Sequence, residues 1–360
     1  MKHYYALIMA GGGGTRLWPM SRNQTPKQIL PIIEEQSMLS VSVERLAPLF
    51  PPDHIYVVAG EQYKEVLREH APDIPEENFI IEPYGKDNGP AALLGITHIY
   101  KRDPEAVIAF LTADHHIAEK DRFRQVLQAA ANIALKDYIV TLGISASLPS
   151  TAFGYIQRGD VIETMEGFRI YEAKRFTEKP DMQTAIQFIR SGKYSWNSGM
   201  FIWTAKRAMS EFATQQPEMH ALMSQLAPAI GTDAYTEKLE EIWEPITKIS
   251  IDYAVMENAE RMAVIPVDIG WSDVGSWDAL FDVLNLDQDG NGFKGSAPNK
   301  IIIDTKHTLV YSDKLIVTIG VEDLVIVDTG DVLMVCHKDR TQDVKKVVST
   351  LRESNQIDYL

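Results

Sequence analysis

The chain has 360 residues, of which 45% are hydrophobic and 24% charged, as expected for a globular protein with a large core. Its 35 basic and 50 acidic residues give a net charge of −15, which disfavours binding to nucleic acids or anionic membranes. The single cysteine, Cys336, excludes an internal disulfide framework and a cysteine-based metal site. No apolar run approaches the ~20 residues of a membrane helix, and the N-terminal run lacks the features of a signal peptide, so we expect a cytoplasmic protein.

The first two thirds of the chain alternate between short apolar runs and amphipathic segments. The runs are rich in Val, Ile and aromatic residues, as buried strands are, whereas the segments carry apolar residues at spacings of three and four, as helices do. This alternation predicts an α/β, Rossmann-like domain whose mainly parallel sheet is covered on both faces, with ligands beyond the carboxyl ends of the strands. The predicted strands are 5–9, 55–59, 79–81, 107–111 and 139–142, and the predicted helices are 61–70, 90–101 and 122–135.

The pattern changes after about residue 286, where a polar, glycine-rich break begins. Short apolar runs separated by turn residues follow, with no helix-like segment between them, which predicts a small β-solenoid or a β-meander. We therefore expect two domains, at 1–286 and 287–360. The runs are 301–303, 308–310, 315–318, 324–327 and 333–335, and a closing helix is predicted at 343–351.

A glycine run follows the first predicted strand and allows backbone N–H groups to approach a polyphosphate closely, because no Cβ intervenes. Its spacing fits neither a P-loop nor a dinucleotide fingerprint. Instead, Arg16 follows the run directly and Lys27 lies in a Pro-Lys-Gln triplet. Phosphoryl transfer depends on positioning and on neutralising phosphate charge, so we expect Arg16 at the departing β,γ-phosphates and Lys27 near the α-phosphate, rather than a solvated turn. The predicted phosphate loop is Gly11, Gly12, Gly13, Gly14 and Thr15.

With these residues the chain resembles a known family. Segments 11–22 and 26–28 are similar to the signature of the sugar-nucleotide pyrophosphorylases, and the Leu-Trp-Pro and Pro-Lys-Gln variants resemble the mannose-1-phosphate guanylyltransferase branch. The resemblance implies a nucleotidyltransferase domain followed by a short left-handed β-helix. It also implies transfer of GMP from GTP to mannose 1-phosphate, with release of pyrophosphate. Further motifs of the family follow in order at 112–115, 154–156, 176–180, 196–201, 252–257 and 270–277.

The resemblance also implies a magnesium ion held by Asp114 and Asp273. Asp114 follows the predicted strand 107–111 and should lie at a strand end, whereas Asp273 lies in a tryptophan-flanked turn. Magnesium is commonly held by one or two carboxylates together with substrate phosphates and water. The ion would bridge the α-phosphate and the sugar phosphate and reduce the repulsion between them.

The sugar-binding residues are implied in the same way. Lys179 matches the family lysine that holds the phosphate of the incoming sugar, and Pro180 restricts the backbone beside it. Glu178 and Asn197 match residues that bind sugar hydroxyls, and the backbone near Gly154 would close over the ring. A carboxylate and an amide suit a hexose, which presents paired hydroxyl donors and acceptors.

The base is expected to lie near Glu82, which occupies the strand-end position facing the base in related enzymes. A carboxylate can accept from guanine N1–H and from the exocyclic amine, so Glu82 is expected to contribute to guanine selection, with backbone readout alone as the alternative. Gly89 is assigned to the same nucleotide site. Segment 86–90 reads Lys-Asp-Asn-Gly-Pro where the family pattern has Arg-Asn-Thr-Ala-Pro, which leaves nucleotide selectivity open.

Two alternative functions stay open. The first is the same reaction with another hexose 1-phosphate or nucleoside triphosphate. The second is a non-catalytic, sugar-nucleotide-binding regulatory paralogue, which should have lost the loop arginine or a metal carboxylate; this chain keeps both. An acyltransferase built on the solenoid is disfavoured, because the repeat is short and offers no catalytic histidine set. The resemblance also implies a homodimer packed through the β-helix.

Overall fold

A computed structural model describes residues 2–295 and 300–360 of the chain. These residues form two compact units. The first unit contains residues 2–11, Ser42–Ala113 and Ile117–Trp271. The second contains Gly12–Val41, Asp114–His116 and Ser272–Leu360.

The strands and helices predicted from the sequence are confirmed, with bounds that differ by a few residues. Strands 155–165, 168–177 and 194–204 and the helices between residues 182 and 243 were not predicted. The strands are β1 (Tyr4–Met9), β2 (Ile55–Gly60), β3 (Phe79–Glu82), β4 (Val107–Thr112), β5 (His116–Ile117), β6 (Ile139–Ser145), β7 (Tyr155–Met165), β8 (Phe168–Thr177), β9 (Tyr194–Thr204), β10 (Met262–Pro266), β11 (Trp271–Ser272), β12 (Gly292–Lys294), β13 (Lys300–Ile303), β14 (Leu309–Tyr311), β15 (Ile316–Ile319), β16 (Leu324–Asp328) and β17 (Leu333–His337). The α-helices are α1 (Met38–Leu46), α2 (Lys64–His70), α3 (Asn88–Arg102), α4 (Lys120–Ala134), α5 (Met182–Ser191), α6 (Ala205–Gln215), α7 (Pro217–Leu226), α8 (Tyr235–Trp243) and α9 (Val344–Glu353).

The first unit is built on a nine-stranded sheet with the order β3-β2-β1-β4-β9-β6-β10-β8-β7. Strands β1 to β4 pair in parallel, as do β6 and β10. Strand β9 runs antiparallel to β4, β6 and β7, and β8 runs antiparallel to β7 and β10. All the other strands therefore share one direction, which confirms the predicted mainly parallel sheet.

Helices cover both faces of this sheet, which is why β1 is buried along its whole length. Tyr5, Leu7 and Met9 share one apolar core with residues of α3, α6, α7 and α8. On alternate positions of the same strand, the Tyr4 hydroxyl donates to the carbonyl of Leu127 in α4 at 2.9 Å. The period-two alternation of a strand thus sends successive side chains of β1 into two cores.

The second unit contains the predicted β-helix. Strands β12, β14 and β16 pair in parallel, and so do β13 and β15. Leu309 pairs with Val325 and Lys300 with Ile316, so each coil of the solenoid takes 16 residues. The last strand, β17, turns back antiparallel to β16, and the predicted closing helix is confirmed as α9.

The core of the second unit also contains residues from near the N-terminus, since Leu17 and Trp18 share it with residues of the β-helix. The division at residue 286 remains a prediction. Among the described residues, no helix is long and apolar enough to cross a membrane.

Candidate active site

The glycine loop belongs to the second unit from Gly12 onward and ends in a 3-10 turn at Thr15–Leu17. Gly12 has φ 98° and Gly14 has φ 58°, both in the left-handed region that favours glycine. A Cβ on Gly14 would lie 2.6 Å from the Cβ of Lys27, so any larger residue would displace the lysine. The loop conformation and the position of Lys27 therefore depend on each other.

Arg16 stands on this turn as a half-buried cation, and within the described residues it makes no hydrogen bond or ion pair. Its neighbours Leu17 and Trp18 are buried in the core. The Trp18 indole donates to the carbonyl of Tyr359 at 2.7 Å, and the Trp277 indole donates to the carbonyl of Trp18 at 3.0 Å. An arginine fork without a protein partner, on a firmly anchored turn, is suited to binding an anionic ligand.

Lys27 has the opposite environment, because it is 5% exposed and fully engaged. Its ammonium donates to Asp114 Oδ2 at 2.9 Å and to the carbonyl of Asp273 at 2.7 Å. Burial by itself would raise the pKa of Asp114, but the charges of Lys27 and His115 hold that pKa below its ordinary value. The structure thus brings Lys27, Asp114 and Asp273 together within the second unit, and we call these three residues the lysine–aspartate cluster.

The turn that carries Asp273 is strained. Val274 is β-branched, fully buried and at φ 45°, a conformation that costs on the order of 1–3 kcal/mol. Its N–H donates to Ser272 Oγ at 3.1 Å, and the N–H of Gly275 donates to Asp273 Oδ1 at 3.2 Å. Burial of Val274 and these two bonds hold the strained turn, which directs the Asp273 carbonyl at Lys27.

The lysine–aspartate cluster fits a magnesium ion in its donor chemistry, since Asp114 and Asp273 offer hard carboxylate oxygens. Another group on the β-helix, formed by His307, Glu322 and Asp323, also has candidate ligand atoms, within 4.8 Å of one another. That group contains an imidazole and does not include either predicted metal ligand. The magnesium prediction therefore applies only to Asp114 and Asp273.

The predicted sugar-binding residues lie together in the first unit. Glu178 Oε1 lies 2.9 Å from the ammonium of Lys179, which has φ 44° and is exposed. A Cβ on Gly154 would lie 2.4 Å from Glu178 Oε2, so glycine is required there for the carboxylate to approach. The N–H of Asn197 donates to the carbonyl of Gly154 at 2.8 Å. Four residues that are distant in sequence thus meet at the ends of β7, β8 and β9.

Sequence reasoning missed a fifth member of this group, Asp252, which begins a π-helical turn at Asp252–Met256. Asn197 Nδ2 donates to Asp252 Oδ1 at 3.0 Å. Burial, followed by the nearby charge of Glu178, raises the pKa of Asp252 to about 7. The signal available in the sequence was the family motif at 252–257; π-helical turns are often found at functional sites but have no readable sequence pattern. We call Gly154, Glu178, Lys179, Asn197 and Asp252 the Asn197 cluster.

Glu82 ends β3 as a buried carboxyl group, 6% exposed. Among the described residues its Oε2 has no hydrogen-bond partner. Cβ atoms on Gly11 and Gly85 would lie 3.8 and 4.0 Å from Oε1, so the two glycines leave the carboxyl group unobstructed. Burial, and then the charge of Asp87, raise the pKa of Glu82 to about 7. A buried acceptor without a partner is a candidate for binding a ligand with N–H donors.

The segment that departs from the family pattern is bonded to the chain after α8. The Lys86 ammonium donates to the carbonyls of Glu244 and Ile246 at 2.6 Å each. Gly89 donates its N–H to the carbonyl of Ile249 at 3.1 Å, and a Cβ there would meet that oxygen at 2.6 Å. Glycine at position 89 thus has a packing reason, and its role in nucleotide binding remains a prediction.

Comparison with known proteins identifies the class of protein. A model of the nucleotidyl transferase family matches residues 5–290, and a model of the MannoseP isomerase/GMP-like beta-helix domain matches residues 298–351. The chain therefore belongs to the nucleotidyl transferase family, whose members are enzymes. This agrees with the α/β sheet, the glycine loop and the short β-helix described above.

Individual relatives confirm the resemblance to the mannose-1-phosphate guanylyltransferase branch. The chain is 36% identical to mannose-1-phosphate guanylyltransferase 2 of Escherichia coli O157:H7 and 35% identical to the mannose-1-phosphate guanylyltransferase of Escherichia coli K12. Each match covers 99% of this chain and 75% of the relative. A crystal structure described as mannose-1-phosphate geranyltransferase from Thermus thermophilus is 35% identical, with a TM-score of 0.88, covering 97% of this chain and 99% of that one.

Proposed function

We propose that this chain transfers GMP from GTP to mannose 1-phosphate, forming GDP-mannose and pyrophosphate. The observation that carries the proposal is the lysine–aspartate cluster, with the unpartnered cation Arg16 on the glycine loop of the same unit. This arrangement supplies positive charge and oxygen ligands, which are what nucleotidyl transfer needs. The names of the E. coli relatives support GTP and mannose 1-phosphate as the substrates.

The proposed reaction is a single displacement. An oxygen of mannose 1-phosphate attacks the α-phosphorus of GTP, and the bond from that phosphorus to the leaving pyrophosphate breaks. Arg16 binds the leaving pyrophosphate, Lys27 supplies positive charge at the α-phosphate, and Lys179 holds the phosphate of the sugar. No general base is needed, because the attacking phosphate oxygen is already ionised near neutral pH.

Nucleotidyltransferases generally use a divalent metal ion. We propose Mg²⁺ held by Asp114 and Asp273, where the bound ion would neutralise charge between the α-phosphate and the sugar phosphate. The contribution of the chain itself is to keep the carboxyl group of Asp114 ionised, which Lys27 does through its charge.

The sugar ring is proposed to bind at the Asn197 cluster. Asn197 Oδ1 accepts from the N–H of Gly199 at 3.0 Å, while Nδ2 uses one hydrogen on Asp252. One amide hydrogen remains for a sugar hydroxyl, and Glu178 adds a carboxylate acceptor beside it. Gly154 contributes by leaving space for Glu178.

The nucleotide is proposed to bind Gly11, Gly12, Gly13, Gly14 and Thr15 through its phosphates, with Gly89 and Glu82 at the base. We also propose catalytic and β-helix domains at 1–286 and 287–360, which the family matches at 5–290 and 298–351 support. A homodimer is supported by an apolar face of the β-helix, where Ile301 pairs with Val317 and Ile303 with Ile319, all exposed.

The substrate pair is tested by measuring pyrophosphate release with Mg²⁺ across four nucleoside triphosphates and a set of hexose 1-phosphates. We expect turnover mainly with GTP and mannose 1-phosphate. Omitting Mg²⁺ or adding a chelator is the matched control and should abolish turnover. Preference for another pair would keep the reaction class and replace the substrates, whereas sugar-nucleotide binding without any turnover would indicate the regulatory alternative.

Guanine selection by Glu82 predicts a pH dependence. The pKa of Glu82 is raised to about 7, so at pH 6 the group is mostly protonated and loses acceptor capacity, while at pH 8 it is ionised. We expect the KM for GTP to be about fivefold higher at pH 6 than at pH 8. Glu82→Gln should remove this dependence and reduce the preference for GTP over ATP.

Asp87→Asn is a matched control for the pH effect, because the charge of Asp87 is the second cause of the raised pKa. Asn retains a side-chain acceptor for the N–H of Asn88, which Asp87 accepts at 2.8 Å. The midpoint of the KM profile should therefore move to lower pH in this variant. An unchanged preference for GTP over ATP in Glu82→Gln would contradict the assignment.

A further inference from the structure

Asp252 connects two parts of the first unit. On one side its carboxyl group accepts from Asn197 Nδ2 at 3.0 Å. On the other side the residues before it are bonded to the segment that follows β3: the N–H of Ile251 donates to Asn88 Oδ1 at 2.8 Å, and the N–H of Ile249 donates to the carbonyl of Lys86 at 3.3 Å. Asp252 is therefore held in place by backbone bonds that do not involve the Asn197 cluster.

The amide of Asn197 is oriented from both ends. Its Oδ1 accepts from the backbone N–H of Gly199 at 3.0 Å and from Thr141 Oγ1 at 3.4 Å. Its Nδ2 can point only toward an acceptor, and Asp252 Oδ1 is that acceptor. With Asp252 in place, the second hydrogen of Nδ2 has one defined direction; without it, the amide is held by its oxygen alone.

The charges around Asp252 oppose its being a purely structural residue. Its carboxyl group faces the carboxyl group of Glu178, which raises its pKa, and the ammonium of Lys179, which lowers it. Two half-buried carboxyl groups on neighbouring elements are costly unless they serve a ligand or an oriented partner. Placing acceptors on both sides of one amide is an arrangement suited to a polyhydroxylated ligand.

We propose that Asp252 is a positioning residue of the sugar subsite, which acts by fixing the Asn197 amide so that its remaining N–H is directed at a hydroxyl of the hexose 1-phosphate. The proposal rests on the proposed function, since it names a further determinant of the same subsite. It assigns to Asp252 an effect on affinity for the sugar phosphate. It assigns no effect on the nucleotide or on the chemical step.

The test compares Asp252→Ala with Asp252→Asn in the full chain, using steady-state kinetics with each substrate varied in turn. Asp252→Ala should raise the KM for mannose 1-phosphate about tenfold, with kcat and the KM for GTP within about threefold of the parent. Asp252→Asn keeps an acceptor oxygen for Asn197 Nδ2 and should restore most of the affinity. An unchanged sugar KM in Asp252→Ala, or an equal loss in Asp252→Asn, would overturn the proposal.

The double variant Asn197→Ala/Asp252→Ala separates positioning from direct contact. If Asp252 acts through Asn197, the double variant should have the sugar KM of Asn197→Ala alone, because the two effects are not additive. Additive losses, or a rise in both substrate KM values together with a lower melting temperature, would refute a positioning role. Turnover by the unaltered chain is measured in the same series, so a failure of the proposed function would be recognised separately from a failure at Asp252.

Discussion

Replacement of Arg16 by alanine is expected to lower kcat by about 10³-fold while leaving the melting temperature almost unchanged. Arg16 is half-buried and has no hydrogen-bond or ion-pair partner in the part of the chain that the structure describes. Its removal therefore breaks no interaction of the folded protein. What it removes is the proposed fork for the leaving pyrophosphate, whose negative charge grows as the bond to the α-phosphorus breaks.

The measurement is pyrophosphate release with GTP and mannose 1-phosphate, combined with thermal unfolding of the same preparation. Arg22→Ala is the matched control, because Arg22 is an arginine of the same unit whose fork binds Asp331 at 2.6 and 2.8 Å. That variant should lose stability, by about 1 kcal/mol, and retain its kcat. A large drop in melting temperature for Arg16→Ala, or an unchanged kcat, would identify Arg16 as a structural residue.

Replacement of Lys27 by methionine is expected to reduce both activity and stability. The ammonium of Lys27 is buried between Asp114 and Asp273, and its loss leaves the carboxyl group of Asp114 without its partner. Breaking a buried ion pair from one side costs about 3–5 kcal/mol, and we expect about 2 kcal/mol here because the Asp114 side chain is 27% exposed. The kcat should fall by about 10²- to 10³-fold through loss of charge at the α-phosphate.

Chemical denaturation and kinetics on the same variants test this expectation. The double variant Lys27→Met/Asp114→Asn removes both charges, so it should regain part of the unfolding free energy lost in Lys27→Met while remaining inactive. Equal stability of the single and double variants would show that the ion pair does not contribute to folding. Normal kcat in Lys27→Met would remove Lys27 from the proposed mechanism.

The two arginine and lysine variants distinguish groups that the sequence presents alike. Arg16 and Lys27 both appear as cations near a glycine run, with similar expected roles. In the folded chain Lys27 is committed to two aspartates, whereas Arg16 has no partner among the described residues. Their contributions to stability should therefore differ even if both contribute to catalysis.

Much of the fold could be predicted because its signals are local. The run at 5–9 is continuously apolar because β1 is buried on both faces, and the turn-separated runs after 300 reflect coils of 16 residues. Strands β7 to β9 escaped prediction, since β7 and β8 are partly exposed and mix polar with apolar residues. Their pairing depends on partners far away in the chain, which no local pattern records.

The candidate site divides in the same way. Glycine spacing, Arg16 and the family motifs are properties of the sequence, and they were sufficient to predict the class of reaction and a set of residues. The bond between Asn197 and Asp252 joins positions 55 residues apart, and the closeness of Lys27 to Asp114 joins positions 87 apart. Such contacts exist only once strands and turns have packed, so the partner of each charge was not readable from the chain.

What the sequence determined by itself was the order of buried strands and helices, the glycine loop and the kinds of functional group available, because these follow from local periodicity and residue chemistry. The tertiary structure decided which groups are paired and which are not. Glu82 became a buried acceptor without a partner, Gly89 became a close contact of Ile249, and Asp252 became the acceptor for Asn197. Burial and proximity set these states, and both depend on residues distant in sequence.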